Sequence, residues 1–318
     1  MREDHLGRKF KKLRISLTSI CNFACVYCVS DEEARSNQKV HTCKPLSAEE
    51  FAILISKLHT LLDLEEIRLT GGEPTIYPDL IKLILYIKEI GIPKVSITTN
   101  GYRLTTIAPE LKKVKLDSLN ISLDAINSEV FAKMSRGRKL EKTLSGIKAA
   151  YDNKIPFKIN ATIMRNWNET EILPLLDFSK KMGVTIRYLE LMQMGHLSGN
   201  QSDTIFTEKE ILQCISQKFS YQKLHREKSS TANYYITEDG YRFGIIANES
   251  TPFCSDCNRL RLDSQGSLYG CLSSNHAFSI REAVNSNIPL EPILYQALLK
   301  KQNYKFTGSP ISMMAIGG

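Results

Sequence analysis

Six of the eight cysteines stand in two groups of three, one near each end of the 318-residue chain. The first group has the spacing Cys-x3-Cys-x2-Cys and the second the spacing Cys-x2-Cys-x13-Cys. A structural zinc ion or a fully ligated iron–sulfur cluster normally takes four protein ligands, so each group supplies one thiolate too few for a closed site. The pattern predicts two metal centres, each with one position open to a ligand that is not protein. The predicted metal ligands are Cys21, Cys25, Cys28, Cys254, Cys257 and Cys271.

Composition and charge indicate in which cellular compartment these cysteines function. The net charge is +8, but basic residues are scattered among acidic ones without a long Lys/Arg block. The N-terminus, Met1 to Lys12, lacks the apolar core of a secretory signal, and no apolar run reaches membrane-spanning length. We therefore expect a cytoplasmic protein, where clustered cysteines are better interpreted as metal ligands than as disulfides. Cys43 and Cys214 stand alone and are predicted to be ordinary thiols.

Six β-branched segments alternate with helical patterns in the first two thirds of the chain. This alternation predicts an α/β fold with a parallel sheet. Six strand–helix steps fall short of the eight of a closed (β/α)8 barrel, so we expect an open, partial (β/α)6 barrel. The predicted strands are Leu13–Thr18, Glu66–Thr70, Lys94–Thr98, Ser118–Leu123, Phe157–Ile163 and Thr185–Leu191.

Local signals mark helix starts and a domain boundary. Ser47 with Glu50 predicts a capping box, and Asn168 with Glu171 predicts another helix start. The pattern changes after Met192, so residues 1–205 are predicted to form the barrel domain and residues 206–318 a smaller α+β domain. The elements predicted in this second region are a helix at Glu208–Phe219 and strands at Tyr234–Ile236, Tyr241–Ala247, Leu260–Leu262 and Leu268–Tyr269.

The N-terminal group admits two interpretations from spacing alone. Its three thiolates could hold three irons of a cubane cluster and leave the fourth iron free, or they could form a zinc knuckle completed by His41 or another residue. Polar residues follow several predicted strands, at the rim where barrel active sites are assembled. These strand-end residues are Thr98, Thr99, Asn100, Ser122, Asp124, Glu190 and Met192.

The C-terminal group is followed directly by two arginines. Arg259 and Arg261 alternate along a predicted strand, which places both guanidinium groups on one face in a fork suited to phosphate. A zinc ribbon is the alternative for this group, and it would need a fourth ligand, for which His276 is the obvious candidate. The chain ends in Gly317-Gly318, a segment without side chains that could enter a confined space.

Two sets of motifs carry a resemblance to known families. The cysteine loop with Tyr27, and the strand end Thr70-Gly-Gly-Glu-Pro74, resemble the radical S-adenosylmethionine (SAM) superfamily. Beyond these, Ile67-Arg-Leu-Thr-Gly-Gly-Glu-Pro, Thr-Thr-Asn-Gly101, Asn120-Ile-Ser-Leu-Asp124, Phe-Cys-Ser-Asp-Cys-Asn-Arg-Leu-Arg-Leu262 and the terminal Gly-Gly are similar to the GTP 3′,8-cyclases of molybdenum cofactor biosynthesis. This second resemblance runs from Leu13 to Gly318.

The resemblance implies a lyase with two [4Fe-4S] clusters and SAM. The first cluster would bind SAM and generate a deoxyadenosyl radical that takes hydrogen from C3′ of GTP. The carbon radical would then add to guanine C8, and the second cluster would bind the guanine. Matching positions imply cofactor contacts at Tyr27, Gly71, Gly72, Glu73, Ser122 and Met192, nucleotide contacts at Arg14, Arg68, Thr99, Lys158, Arg259 and Arg261, and a catalytic role for Gly317 and Gly318.

The same resemblance implies partners. It implies an electron donor, transfer of the product to cyclic pyranopterin monophosphate synthase and a possible homodimer, with neither nucleic acid nor membrane as a partner. The chain departs from the family pattern on the phosphate-binding side, most clearly at Glu66, where the family often has a lysine.

Three other functions stay open at this level. A divergent paralogue could act on a related nucleotide. A radical SAM enzyme that modifies peptides would usually have more cysteines in its C-terminal domain. A metal-stabilised RNA-binding module would need a basic stripe with interleaved aromatic residues, which the chain lacks.

Overall fold

The computed structural model describes residues 3–35, 44–199 and 202–317. Three residues named in the sequence predictions, His41, Cys43 and Gly318, lie outside these ranges. Within them, no helix is both long and apolar enough to cross a membrane.

Six parallel strands form the centre of the sheet and confirm the six predicted ones, with ends that differ by no more than about two residues. Most of their core-facing residues are valine, isoleucine or leucine, with Ala161 and Tyr188 as exceptions, and all of these side chains are fully buried. The strands are β1 (Lys12–Ser16), β2 (Glu66–Thr70), β3 (Lys94–Thr99), β4 (Ser118–Ser122), β5 (Phe157–Ile163) and β6 (Ile186–Glu190).

Helices connect these strands and cover the outer face of the sheet. The best match to expectation is α2, where the predicted capping box is present: Ser47 accepts from the Glu50 N–H, and the Glu50 carboxylate accepts from the Ser47 N–H. The described helices are α1 (Asp31–Arg35), α2 (Ala48–Leu62), α3 (Leu80–Glu89), α4 (Leu104–Lys113), α5 (Ser128–Ser135), α6 (Leu140–Asp152), α7 (Ile172–Lys181), α8 (Glu208–Ser216), α9 (Glu291–Leu299) and α10 (Met313–Ile316).

The predicted helix start at Asn168 and Glu171 is confirmed in position, since a short 3-10 turn at Glu169–Glu171 leads directly into α7. The side-chain cap is absent, because Asn168 makes no capping bond. Its amide donates instead to the carbonyls of Asp124 and Thr162, while the Glu171 carboxylate accepts from the N–H of Ile126. Both side chains therefore tie the loops after β4 and β5 together, because tertiary partners outcompete the local cap.

The C-terminal part extends the same sheet at both edges. The sheet order is β12-β11-β10-β1-β2-β3-β4-β5-β6-β9-β8-β7, in which β10 is parallel to β1 and β9 is parallel to β6. The sheet stays open, as predicted, but the C-terminal strands continue it rather than forming a separate layer. The added strands are β7 (Tyr221–Lys223), β8 (Asn233–Thr237), β9 (Arg242–Ile246), β10 (Arg259–Leu262), β11 (Ser267–Tyr269) and β12 (Phe278–Ser279).

Gly146 tests how tightly the helical layer packs. It lies in α6, and a Cβ atom at this position would stand 1.9 Å from the Gly101 carbonyl oxygen, which belongs to the loop after β3. We expect Gly146→Ala to lower the free energy of unfolding by about 2 kcal/mol through overpacking, despite the better helix propensity of alanine. The neighbouring exposed Ser145→Ala is the control, and denaturation midpoints provide the measurement. Equal midpoints for the two variants would contradict this packing.

Candidate active site

All six cysteines of the two groups line one cavity of about 260 Å³ at the carboxyl ends of the parallel strands. The first group lies on the loop that follows β1. Cys254 and Cys257 precede β10, and Cys271 follows β11. None of the seven described cysteines forms a disulfide. The structure thus brings the two groups to a common space, with three free thiols on each side.

Side chains from other elements hold the first cysteine loop. One Arg136 nitrogen donates to the carbonyls of Ala24 (2.7 Å) and Val29 (2.8 Å). The His196 ring bonds the Val26 carbonyl at 3.1 Å. The loop conformation is therefore fixed by protein contacts around the thiols. Burial raises the pKa of the Cys21 thiol to about 11, which means that this thiol is protonated at neutral pH.

Gly71 and Gly72 fit closely against the start of that loop. A Cβ on Gly71 would stand 2.4 Å from the Thr18 carbonyl oxygen, and one on Gly72 would stand 2.2 Å from the Ile20 carbonyl oxygen. Gly71 also has a φ of +134°, which non-glycine residues rarely adopt. Both positions line the cavity. Backbone approach within the protein thus requires these glycines.

Glu73 is a buried carboxylate with a full set of hydrogen bonds. It accepts from the N–H and hydroxyl of Thr75, from the Thr99 hydroxyl at 2.7 Å and from the Asn100 N–H at 2.8 Å. Burial raises its pKa, although these donors act in the opposite direction. Thr99 lines the cavity, but its hydroxyl already donates its hydrogen bond to Glu73.

Tyr27 and Asp124 meet on the same side of the cavity. The Tyr27 hydroxyl donates to Asp124 at 2.7 Å, and the other Asp124 oxygen accepts from the Thr162 N–H at 2.8 Å. Burial raises the pKa of Asp124 to about 6. Ser122 and Met192 line the cavity nearby, so the rim predicted from strand ends is assembled.

The second cysteine group lies among cations. The pKa of Cys257 is lowered to about 6, because the charges of Lys301 and Arg259 outweigh the opposing effect of burial. Burial instead raises the pKa of Cys254 to about 11. Within the described ranges, no set of three or more His, Cys, Asp or Glu side chains is arranged to hold a single metal ion. His276, the fourth ligand that a zinc site would need, is exposed and does not line the cavity.

Three arginines stand side by side across neighbouring strands. Arg14 of β1 is the register partner of Arg261 on β10 and of Arg68 on β2. All three line the cavity, as does Arg259. Arg14 has no hydrogen bond or ion pair among the described side chains. Burial and then the neighbouring arginine charges lower its pKa well below the usual value. An unpartnered cation among cations is suited to bind an anion.

A second, strongly polar cavity of about 340 Å³ adjoins the first and shares Arg14, Arg68 and Arg259 with it. Lys158 lies here rather than beside the cysteines, and its ammonium donates to the Tyr234 hydroxyl at 3.1 Å. Glu66 also lines this cavity and pairs with Arg68 at 2.9 Å and with Lys12 at 3.2 Å. Burial opposes ionisation of Glu66, but the surrounding cations lower its pKa to about 2.

The C-terminal segment enters the barrel beside the arginine row. The Gly317 carbonyl accepts from Arg261, and the Met314 carbonyl accepts from the Ser16 hydroxyl at 3.2 Å. Gly317 has a φ of +72°, and a Cβ there would stand 2.4 Å from the Thr70 methyl carbon. A residue with a side chain would not fit this path.

Sequence reasoning missed two buried cations of the site. Arg187 lines both cavities and donates to Asn120 at 2.5 Å and to Asn160 at 2.7 Å. Lys301 lines the first cavity beside the second cysteine group. The period of two within β6 could have indicated that Arg187 faces inward, as Arg14 and Arg68 do on their strands. No comparable local signal marks Lys301.

Comparison with known proteins gives two family matches and curated relatives. The Radical SAM superfamily model matches residues 15–179, and the Molybdenum Cofactor Synthesis C model matches residues 184–307. A GTP 3′,8-cyclase of Synechocystis sp. is 34% identical over 301 residues, which cover 95% of this chain and 90% of the relative. A GTP 3′,8-cyclase of Aliarcobacter butzleri is 37% identical over 291 residues, which cover 89% and 87%.

Solved structures share the fold at low identity. Streptococcus suis SuiB bound to S-adenosylmethionine has a TM-score of 0.62 and 16% identity, and the match covers 90% of this chain and 65% of SuiB. The anSMEcpe structure with bound AdoMet has a TM-score of 0.63 and 14% identity, with 90% and 80% covered. At these identities the likeness concerns the fold alone.

The arginine row leads to a prediction about stability. We expect Arg14→Met to raise the free energy of unfolding of the ligand-free protein by about 1 kcal/mol at low salt, because it removes repulsion between like charges on adjacent strands. The gain should shrink as salt is added. Denaturation midpoints across a salt series provide the measurement, with the exposed Lys181→Met as the control. A destabilised Arg14→Met protein at every salt concentration would contradict the repulsion.

Proposed function

The chain belongs to the GTP 3′,8-cyclase family within the radical SAM superfamily, and we propose which of its residues bind the clusters, SAM and GTP in that reaction. The enzyme converts GTP to (8S)-3′,8-cyclo-7,8-dihydroguanosine 5′-triphosphate, the first step of molybdenum cofactor biosynthesis. Its cofactors are [4Fe-4S] clusters and SAM. When bound, they supply a 5′-deoxyadenosyl radical that takes the hydrogen from ribose C3′ and so allows C3′ to bond guanine C8.

One observation carries the proposal: two groups of three free thiols face each other across a single cavity that is bordered by arginines. Three thiolates suit a cubane cluster with one iron left for an exogenous ligand. In our proposal that ligand is SAM at Cys21, Cys25 and Cys28, and the guanine of GTP at the second group. The proposed ligands of the second cluster are Cys254, Cys257 and Cys271.

The SAM side is built from the loop after β1 and the ends of β2 to β6. Gly71 and Gly72 would allow the backbone after β2 to lie against the cysteine loop and so bring its polar groups to the methionine part of SAM. Glu73 would fix that segment through Thr75, Thr99 and Asn100. Tyr27, Ser122 and Met192 would line the remainder of the SAM site.

The nucleotide side is built from the cationic row and the adjoining polar cavity. Arg14, Arg68, Arg259 and Arg261 would bind the triphosphate of GTP, with Lys158 at the far end. Several cations are needed because a buried triphosphate requires more than one partner. Thr99 would act here indirectly, since its hydroxyl is bonded to Glu73. These contacts would orient the ribose and exclude water from the site.

The C-terminal tail is proposed to assist catalysis at the nucleotide site. Gly317 occupies a narrow path beside Thr70 and bonds Arg261, a residue of the proposed phosphate site. A catalytic role is proposed for Gly318 as well, on the family resemblance of the terminal Gly-Gly. Because the tail packs inside the barrel and bonds Arg261, its placement would determine how Arg261 is oriented toward the substrate.

Domain division and partners complete the proposal. Residues 1–205 would bind SAM and supply Arg14, Arg68 and Lys158 to the nucleotide site, and residues 206–318 would bind the second cluster and supply Arg259 and Arg261. An electron donor would reduce the first cluster, and cyclic pyranopterin monophosphate synthase would receive the product. We also propose that the chain forms a homodimer. A reducing, cytoplasmic location is proposed because the free cysteines must stay unoxidised to bind iron.

Anaerobic purification followed by iron and sulfide analysis tests the proposal directly. Two cubanes correspond to about eight irons per chain, or about seven if an open site loses one. The protein is then incubated with GTP, SAM and a reductant, and both 5′-deoxyadenosine and the cyclised nucleotide are measured. Zinc in place of iron at the second site, or SAM cleavage with unchanged GTP, would contradict the assignment.

Cys254 separates the roles of the two cysteine groups. We expect Cys254→Ser to abolish cyclisation of GTP while slow, uncoupled SAM cleavage continues, because the first cluster is left intact. Cys214→Ser is the matched control, since Cys214 lies on α8 outside the cavity and should retain coupled turnover. Product analysis by mass spectrometry provides the measurement. If coupled turnover survived in Cys254→Ser, the second group would not be the nucleotide site.

Glu66 is expected to weaken nucleotide binding in this chain. With a pKa of about 2, it is ionised throughout the working pH range and places a negative charge beside the proposed phosphate site. Glu66→Gln should lower the KM for GTP about fivefold at low salt, equivalent to about 1 kcal/mol, without increasing the rate of uncoupled SAM cleavage.

The control for this prediction is the adjacent Glu65→Gln. Glu65 is exposed, pairs only with Lys11 among the described side chains, and does not line the polar cavity. Its KM for GTP should stay at the unmodified value. A KM that rises in Glu66→Gln would show instead that Glu66 supports binding by holding Arg68 in place.

A further inference from the structure

Lys301 is a buried lysine without a carboxylate partner. Only 6% of its surface is exposed, and it lies two residues past the end of α9. Lysine is almost never fully buried unless it is paired. None of the ion pairs found within residues 3–35, 44–199 and 202–317 includes Lys301. Its charge therefore lacks a protein counter-ion in this part of the chain.

The ammonium group is fixed beside the second cysteine group. Its nitrogen donates to the Arg259 carbonyl at 2.8 Å and to the Gly270 carbonyl at 2.9 Å. Arg259 follows Cys257 by two residues, and Gly270 directly precedes Cys271. Lys301 also lines the cavity together with all three cysteines of this group. An ammonium has three N–H donors, so one is left after these two bonds.

The surroundings of the first cysteine group are different. Two buried carboxylates, Glu73 and Asp124, border the cavity on that side. The closest charges on the other side are cationic, from Lys301 and Arg259. Arg136 also binds the first loop, so charges of both signs surround that group, whereas Arg259 and Lys301 make the cavity lining beside the second group cationic.

We propose that Lys301 is a positioning residue that stabilises the negative charge of the second cluster and raises its reduction potential. The inference rests on the proposed function, which assigns a cluster to Cys254, Cys257 and Cys271. Thiolate ligands make a cluster anionic, and its reduced form carries one more negative charge than its oxidised form. A fixed cation in a buried site favours the reduced form more strongly, because Coulomb energies are larger where water is excluded.

The alternative role for Lys301 is purely structural. Its two carbonyl contacts join the start of β10 to the end of β11, and this tie could simply hold the strands. The two roles differ in their dependence on charge. Lys301→Arg retains the charge and donors, whereas Lys301→Met and Lys301→Gln remove the charge at similar size.

The experiment uses the full chain with Cys25→Ser, which leaves the second cysteine group as the cluster site. Iron and sulfide are counted, and the midpoint potential is measured by EPR-monitored titration. Lys301→Met and Lys301→Gln should each shift the reduction equilibrium at least tenfold toward the oxidised form, which is about 59 mV lower for one electron. Lys301→Arg should stay within about threefold of the parent, and the exposed Lys300→Met is the control.

Each outcome decides between the roles. An unchanged potential in a neutral variant that retains its iron would overturn the inference, as would loss of iron from Lys301→Arg together with both neutral variants. Iron loss confined to the neutral variants would support a requirement for charge. No iron in the Cys25→Ser parent would contradict the second cluster itself, and the inference would fall with the proposed function.

Discussion

The site depends on the parallel pairing of β10 with β1. Four register pairs join these strands, and the Lys12 N–H donates to the Asn258 carbonyl at 3.3 Å just outside them. Because β1 leads into the first cysteine loop and β10 follows Cys257, this one ladder brings the two ends of the chain to a common cavity. It also places Arg261 next to Arg14. The long-range pairing thus creates both the metal-binding space and the cationic row.

The row of neighbouring arginines destabilises the folded protein. Cross-strand like charges repel, and burial removes the water that would screen them. Glu66 offsets part of this cost by pairing with Arg68 and Lys12, but Arg14 has no such partner among the described side chains. An arrangement that is unfavourable without an anion is typical of a binding site rather than of a structural element. Substrate phosphates would supply the missing counter-charge.

The sequence was informative where local chemistry decides the structure. Buried strands such as Phe157–Ile163 were predicted because their β-branched residues have few alternatives, and the Ser47–Glu50 capping box forms from neighbouring groups alone. Prediction failed where distant partners decide. Asn168 carries a capping signal but bonds two other loops, and the sequence does not indicate that β10 pairs with β1.

Charged residues were the hardest part of the site to predict. Lysine and arginine usually lie at the protein surface, so the sequence contains no indication that Lys301 is buried. For Arg187, the only indication was the alternation of inward and outward residues along its strand. The glycines after β2 were found, but the structure adds another reason for them, since their missing Cβ atoms make room for Thr18 and Ile20. Motif recognition thus indicated residues that line the cavity, and the structure adds the contacts that each of them makes.

The charged residues that line the cavity differ between its two sides, and this difference would decide which ligand binds on which side. Both walls offer the same donors, three thiolates, so the donors alone cannot determine which ligand binds where. In the proposed assignment, the positive sulfonium of SAM would lie on the side with Glu73 and Asp124, and the triphosphate would lie beside Arg259 and Arg261. The surrounding charges, rather than the cysteines, would then distinguish the site that generates the radical from the site that binds its target.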